Sequence, residues 1–345
     1  MSDTFQLARG SACLRAVAAA GVVLATAACN PEESSAPTAG EAGVTTAVAT
    51  PAFLTSASAP GIPFGDFHLP VEEFDNPRYT GSLQALWPSS TYSRLDAARS
   101  NGRRVIISLA GSPKYYRNSD GTFNLTKWKS RIDVYRGYNF SQYVSAGTVI
   151  GHYLVDESFC AKCWGGKTIS YSQIEEMSRY SKSLWPTLPT GVRAPPSLLG
   201  STRYSSLDFG WAQWEGPLHV PSYRLTPEQF RDQETGRARS LGLGLVFGLN
   251  YLDGGDGTSR IQGTYAPDPN LSDTKYCESG GKCYRYAMSA SEVRRVGKVF
   301  AAAAYGCAVL NWPYNTTFLS RSGMKAALDE VVATARNRSR TSCKQ

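Results

Sequence analysis

After about residue 60 the chain alternates short apolar runs with segments of helical periodicity, and this alternation restricts the possible folds most. Six runs are rich in apolar and β-branched residues, as parallel strands buried on both faces are. They span 104–110, 149–157, 190–194, 207–214, 243–250 and 307–312. Two further runs, 63–68 and 81–86, precede them and bring the number of predicted strands to eight.

The segments between these runs carry helix start signals. Asn124 is a predicted N-cap ahead of an apolar stripe that includes Trp128. Capping-box patterns, in which a Ser or Thr is followed three residues later by Gln or Glu, predict three more starts. They are Ser170–Gln173, Thr226–Gln229 and Ser289–Glu292. A last helix is predicted around Met324, Ala327, Leu328 and Val331.

Eight strands alternating with helices predict an α/β fold, a (β/α)8 TIM barrel formed as one domain by residues 61–345. The links between strands one and two and between strands five and six are too short or irregular for full helices. An open, doubly wound sheet is the alternative. The sequence has no glycine-rich phosphate loop after its first predicted strand, which favours the barrel.

The first 28 residues have the features of an export signal. Arg9 and Arg15 precede an apolar run, 16–28, that is too short to span a bilayer. Small residues then lead to Cys29, which predicts lipidation of this cysteine and a cell-envelope lipoprotein; simple cleavage and release to the periplasm or medium is the alternative. Residues 29–60 are rich in Ala, Ser, Thr, Pro and Gly and are predicted to be a flexible linker.

The formal net charge of +8 does not indicate nucleic-acid binding. Arg336, Arg338, Arg340 and Lys344 concentrate much of that charge in a short C-terminal tail. No basic stripe interleaved with aromatic residues accompanies it. We therefore expect a solvated tail that lies near anionic components of the envelope, and no nucleic-acid partner. The sequence gives no indication of an oligomeric state.

Six cysteines remain once Cys13 and Cys29 are set aside, and an exported protein oxidises its cysteines to disulfides. Six cysteines allow fifteen pairings. Closeness in sequence favours Cys160–Cys163 and Cys277–Cys283, which leaves Cys307–Cys343. A four-thiolate zinc site formed by the first two pairs is the alternative. With three histidines and no H-E-x-x-H motif, no catalytic metal or other cofactor is predicted.

Polar and aromatic residues recur where the apolar runs end. In a (β/α)8 barrel the carboxyl ends of the strands meet at one face and build the active site there. Run 149–157 is the clearest case, since it ends in the adjacent carboxylates Asp156 and Glu157. Ser112 and Asn311 also stand at strand ends, and the predicted site residues are Asp66, His68, Asp156, Glu157, Arg193, Gln213, Trp214, Glu215, Asn250, Tyr251, Asp253 and Trp312.

The end of the fourth predicted strand reads Leu154-Val155-Asp156-Glu157-Ser158. It resembles the end of strand four in TIM-barrel glycoside hydrolases, where the glutamate of an Asn-Glu or Asp-Glu pair is the general acid/base. Leu310-Asn311-Trp312 resembles the strand-eight ending whose tryptophan floors a sugar subsite. The resemblance implies carbohydrate as substrate or ligand. The sequence departs from the family at strand seven, where Asn250-Tyr251-Leu252-Asp253 stands in place of a nucleophilic glutamate.

Glycoside hydrolysis needs two carboxylates on either side of the scissile bond. Glu157 is the predicted acid/base, and either Asp253 or Glu215 its partner, which must then lie within about 10 Å of Glu157. Asp156 is expected to orient Glu157 or to bind the sugar. The remaining eight residues are predicted to bind substrate: Asp66, His68, Arg193, Gln213, Trp214, Asn250, Tyr251 and Trp312. A glycan-binding lipoprotein without activity is the alternative function, and a structural envelope protein a third.

Overall fold

A computed structural model describes residues 59–216, 225–262 and 284–344. The strands are β1 (Phe64–Asp66), β2 (Gly81–Ala85), β3 (Arg104–Ser108), β4 (Val149–Asp156), β5 (Thr190–Arg193), β6 (Phe209–Trp214), β7 (Gly244–Leu249), β8 (Ile261–Gln262), β9 (Tyr284–Arg285) and β10 (Gly306–Asn311). All but β8 and β9 form one parallel sheet with the order β1-β10-β7-β6-β5-β4-β3-β2. A parallel bridge between Phe67 and Leu83 joins the two edges. The predicted nearly closed eight-stranded barrel is confirmed.

Eight α-helices surround the barrel in the described part of the chain. They are α1 (Thr91–Ser100), α2 (Leu125–Asp133), α3 (Ser141–Ser145), α4 (Tyr171–Leu184), α5 (Pro227–Leu241), α6 (Ala290–Ala302), α7 (Thr316–Leu319) and α8 (Met324–Arg336). Short 3-10 turns, Val71–Glu73 and Pro196–Leu198, stand in the two links predicted to lack full helices. Within the described ranges, no helix is both long enough and apolar enough to cross a bilayer.

The four predicted helix starts are correct to the residue. Asn124 accepts a hydrogen bond from the Lys127 backbone N–H. Complete capping boxes begin α4 at Ser170, α5 at Thr226 and α6 at Ser289. Because each cap satisfies backbone donors that the first helical turn leaves unpaired, it fixes the residue at which the chain leaves the strand-end loop.

The barrel wall separates two apolar layers. Phe67, Ile106, Trp211, Val246 and Leu310 belong to the cluster inside the barrel. The larger cluster lies between the strands and the helices. A strand residue therefore faces either the barrel axis, which opens towards the carboxyl ends of the strands, or the helix layer.

Two disulfides, Cys160–Cys163 and Cys307–Cys343, are confirmed. The Cys160–Cys163 bond leaves neither sulfur as a thiolate, so it removes half of the ligands of the alternative zinc site. Several predictions lie outside the described residues: the signal 1–28, lipidation of Cys29, the linker as far as residue 58, and the pair Cys277–Cys283.

Candidate active site at the carboxyl ends of the strands

One arginine organises the carboxylates at the open face of the barrel. Arg193 is the last residue of β5 and lies in register with Asp156, the last residue of β4. Its Nε donates to Asp156, one terminal nitrogen lies 2.8 Å from Glu157 Oε1, and the other lies 3.9 Å from Glu215 Oε1. Gln213 Oε1 accepts a further hydrogen bond of 3.1 Å. The planar guanidinium therefore connects β4, β5 and β6.

The electrostatics of this cluster depend on burial. Only 11% of the Arg193 side chain is exposed, and burial by itself lowers its pKa. Asp156 and Glu157 outweigh burial and hold the pKa of Arg193 well above its ordinary value. Arg193 is thus a permanent cation among three carboxylates. Arg193, a predicted substrate-binding residue, lines the cavity and also binds the three acidic side chains around it.

Tyr153 lies beneath these carboxylates on the inner side of β4. It belongs to the cluster inside the barrel. Burial and the Asp156 charge raise the pKa of Tyr153 well above its usual range, so the phenol stays protonated. Asp156 is held by Arg193, which agrees with the supporting part that the sequence predicted for it.

Glu157 has an unusual backbone. Its φ is +43°, and His68, after β1, is the only other non-glycine residue with positive φ in the described chain. Such conformations cost about 1–3 kcal/mol each and persist only where the surroundings impose them. The Glu157 N–H donates to the Arg193 carbonyl at 3.0 Å, and the Glu157 carbonyl accepts from Trp164 Nε1 at 3.0 Å. Both contacts hold the carboxylate at the mouth of the barrel.

The Cys160–Cys163 disulfide lies directly against this residue. Cys163 Sγ is 3.4 Å from Glu157 Oε2, and the bond closes the turn that follows β4. Glu157, Cys160 and Cys163 form the single described cluster of three or more His, Cys, Asp or Glu side chains close enough to share a metal ion. With both sulfurs oxidised, the cluster acts as a brace for the Glu157 loop.

A cavity of about 480 Å³ opens beside the cluster. This volume lies in the range of small-molecule sites, about 300–1,000 Å³. Arg193, Gln213 and Glu215 form its polar side. Trp211, Phe159 and Leu198 contribute apolar walls. Trp211, which was not among the predicted site residues, precedes Gln213 by two positions and so shares the inner face of β6 with it, where its side chain is fully buried.

Glu215 and Asp253, the two predicted partners of Glu157, lie in different surroundings. Glu157 and Glu215 contact opposite terminal nitrogens of the same guanidinium, so their nearest oxygens are within about 9 Å of each other. Asp253 pairs with Arg285 of β9, and its backbone N–H donates to the Asn250 side chain. The Asn250 side chain therefore stabilises the turn that follows β7.

Three predicted substrate-binding residues face away from the cleft, which corrects the sequence analysis. Asp66 is fully buried in the wall, where Asn311 Nδ2 lies 3.3 Å away. Tyr251 is fully buried and stacks on Phe318 of α7. Trp214 is buried against Phe230 and Phe300 in the helix layer. Side chains alternate between the barrel axis and the helix layer, and these three point towards the helix layer.

Two other predicted residues, His68 and Trp312, lie at the cleft. His68 is exposed and near enough to Asp156 to be influenced by its charge. Trp312 is partly exposed and lies under the Arg285 guanidinium. Trp164, by contrast, is buried and stacks on Tyr116. His68 and Trp312 therefore remain candidate ligand contacts, while Trp164 is part of the core.

Burial also makes the Asp66 carboxyl a weaker acid than usual. Desolvation raises its pKa to about 7, against the opposing effect of the hydrogen bond from Asn311. One of its carboxylate oxygens has no hydrogen-bond partner in the described structure. This carboxyl lies behind β1, in the helix layer, and contributes to the pH dependence of folding.

Comparison with solved structures identifies the fold. A β-glucanase from Saccharophagus degradans superimposes with a TM-score of 0.50 at 11% identity, covering 81% of this chain and 89% of that one. A glycoside hydrolase family 5 mannosidase from Rhizomucor miehei has a TM-score of 0.47 at 9% identity, covering 80% and 94%. A GH18 chitinase from Pseudoalteromonas aurantia has 0.46 at 11%, covering 79% and 99%. No protein-family model and no curated protein sequence matches the chain. The protein thus has the TIM-barrel fold seen in glycoside hydrolases.

Proposed function

We propose that this protein is an exported hydrolase that cleaves a glycosidic bond, with Glu157 and Glu215 as its two carboxylates. The observation that carries the proposal is their shared contact with Arg193 beside the 480 Å³ cavity. Their separation, within about 9 Å, is compatible with direct attack and with attack by a water between them. Their position agrees with the location of active sites in (β/α)8 barrels.

The contacts also suggest a division of roles. Glu157 pairs with Arg193 at 2.8 Å, so its carboxylate is held in one orientation at the mouth of the barrel. Glu157 then attacks the anomeric carbon or removes a proton from water. Glu215, 3.9 Å from Arg193 and 14% exposed, is the better placed proton donor. It gives its proton to the leaving oxygen, and water supplies the hydroxyl and the proton that complete the products. This reverses the acid/base role predicted for Glu157.

The supporting residues keep this pair in place. Asp156 and Gln213 fix the Arg193 guanidinium. Trp312, partly exposed at the end of β10, offers a ring face on which a sugar can pack. The ligand class is therefore carbohydrate. We further propose that Cys29 carries a lipid anchor followed by the linker to residue 60, which places the enzyme in the cell envelope.

The test is a panel of 4-nitrophenyl glycosides and unactivated oligosaccharides assayed with the wild type, Glu157→Gln and Glu215→Gln. Both variants should lose about 10²- to 10⁴-fold in kcat on oligosaccharides. Nitrophenol departs without a proton, so on the aryl substrates Glu215→Gln should recover much of its rate while Glu157→Gln should not.

Asp253→Asn is the matched control, because it also removes one carboxylate charge near the same face but from the pair with Arg285. It should retain activity within about fivefold, a small effect next to the loss of a proton-transfer group. Hydrolysis at the wild-type rate by both glutamine variants would refute the assignment. Glycan binding by the wild type with no hydrolysis of any substrate would point to a binding protein.

A further inference from the structure

The basic C-terminal tail is folded against the barrel, at the face opposite to the active site. The Cys307–Cys343 disulfide attaches it to the second residue of β10. The Arg338 guanidinium donates to the carbonyls of Ala303, Ala304 and Gly306, which precede or begin that strand. Arg338 is therefore held in place at the amino ends of the strands, whereas Arg340 and Lys344 are exposed, as expected for a solvated tail.

A second cavity, of about 260 Å³, lies between this tail and the starts of the strands. Arg104, Thr187, Thr341, Ser342 and Lys344 are among the polar residues that line it, and no Asp or Glu is among its described lining. Arg104 is 6% exposed. One of its terminal nitrogens donates to the Gly61 carbonyl at 2.7 Å, while its Nε has no hydrogen-bond partner in the described chain.

The charges around this cavity favour an anion. Arg340 is close enough to Arg104 that burial and this neighbouring charge together lower the pKa of Arg104 to about 10. A buried guanidinium with an unused donor is costly unless an acceptor reaches it. Oxyanions satisfy guanidinium donors best, because charge-assisted hydrogen bonds to phosphate oxygens are strong and geometrically matched.

We propose that the cavity at the amino ends of the strands binds a phosphate group, with Arg104 as the buried cation and Lys344 and Arg340 at its rim. The described chain begins at the same face, since the Ala59 N–H donates to the Gly102 carbonyl and Arg340 reaches the Ala59 carbonyl. Residue 59, at which the described chain begins, therefore lies at this face of the barrel.

Two binding measurements test the site on the full chain carrying Cys29→Ser, which prevents lipid attachment from contributing. Calorimetry with inorganic phosphate measures the isolated group, and cosedimentation with phosphatidylglycerol or phosphatidylcholine vesicles measures the headgroup source. We expect saturable phosphate binding and a preference for phosphatidylglycerol. Arg104→Gln and Lys344→Gln should each weaken binding about tenfold, as expected for the loss of one charge-assisted contact.

Lys325→Gln is the matched control, because Lys325 lies in the first turn of α8, at the other end of the helix from the tail. It removes the same charge and should leave binding unchanged. If Arg104→Gln does not fold, Lys344→Gln and Arg340→Gln decide the question, since both side chains belong to exposed residues. Equal losses in all variants, or no binding in either assay, would overturn the proposal. Binding to vesicles without binding to free phosphate would identify the lipid headgroup as the source.

Discussion

Replacing Arg193 by methionine tests the arrangement of the active-site cluster most directly. Methionine keeps the apolar stem but leaves Asp156, Glu157 and Glu215 without their shared cation. Removing one partner of a buried ion pair costs about 3–5 kcal/mol. Asp156 and Glu157 are 40% and 32% exposed, so water screens part of the repulsion. We expect a loss of about 3 kcal/mol in the free energy of unfolding at pH 7.

The assay is urea denaturation of wild type and variant between pH 4 and pH 7. Protonation of the carboxylates at low pH removes the repulsion between them, so the deficit should shrink as the pH falls. Arg193→Lys keeps the charge but loses the planar fork that reaches β4 and β6 together. It should recover part of the stability while glycoside hydrolysis stays impaired.

Arg78 provides the matched control. It forms a two-contact pair with Asp329, at 2.8 and 3.1 Å, on the protein surface. Exposed pairs contribute about 0–1 kcal/mol, so Arg78→Met should cost no more than that. A similar small loss for Arg193→Met, or a deficit that does not change with pH, would refute the view that Arg193 holds three carboxylates together.

Three further outcomes are expected. Asp66, with a pKa of about 7 when folded and 3.8 as its ordinary value, keeps a proton that the unfolded chain has lost. The free energy of unfolding therefore falls as the pH rises from about 4 to 7. Asp66→Asn should remove on the order of 3 kcal/mol of this decrease, measured by urea denaturation at each pH. Parallel plots of unfolding free energy against pH for wild type and variant would contradict this. Cys307→Ser opens a bridge across 36 positions and should cost about 4 kcal/mol by thermal denaturation. Cys163→Ser opens a bridge across 3 positions and should cost only about 2 kcal/mol of unfolding free energy. It should nevertheless lower kcat, because the loop that carries Glu157 becomes less constrained. An unchanged kcat would show that the disulfide does not position this carboxylate.

Much of the fold could be predicted from local patterns because the signals are themselves local. Helix caps such as Ser170 and Thr226 depend on residues three apart, and the structure has them as predicted. The run 149–157 marks a strand because its hydrophobicity is continuous, and the adjacent carboxylates mark where it emerges from the core. The two confirmed disulfides also agreed with the pairing inferred from spacing and elimination.

The face of the barrel to which each strand-end side chain points was not readable in this way. Parallel strands are apolar on both sides, so the sequence has no polar alternation to separate the inner face from the outer one. Asp66 and Trp214 are consequently buried on the helix side of their strands, although both were predicted to bind substrate. Trp211, three residues before Trp214 in β6, lies on the inner side and lines the cavity. A shift of one residue in register exchanges the two faces.

By itself, then, the sequence determined the strands, the helix starts and the end of the barrel at which the polar residues gather. Only the tertiary structure decided that Arg193 joins three carboxylates from neighbouring strands, and that the basic tail is bound to the opposite face. Both features depend on how the chain folds back on itself, through the pairing of neighbouring strands β4, β5 and β6 and through the packing of the tail on β10. No local pattern records these contacts.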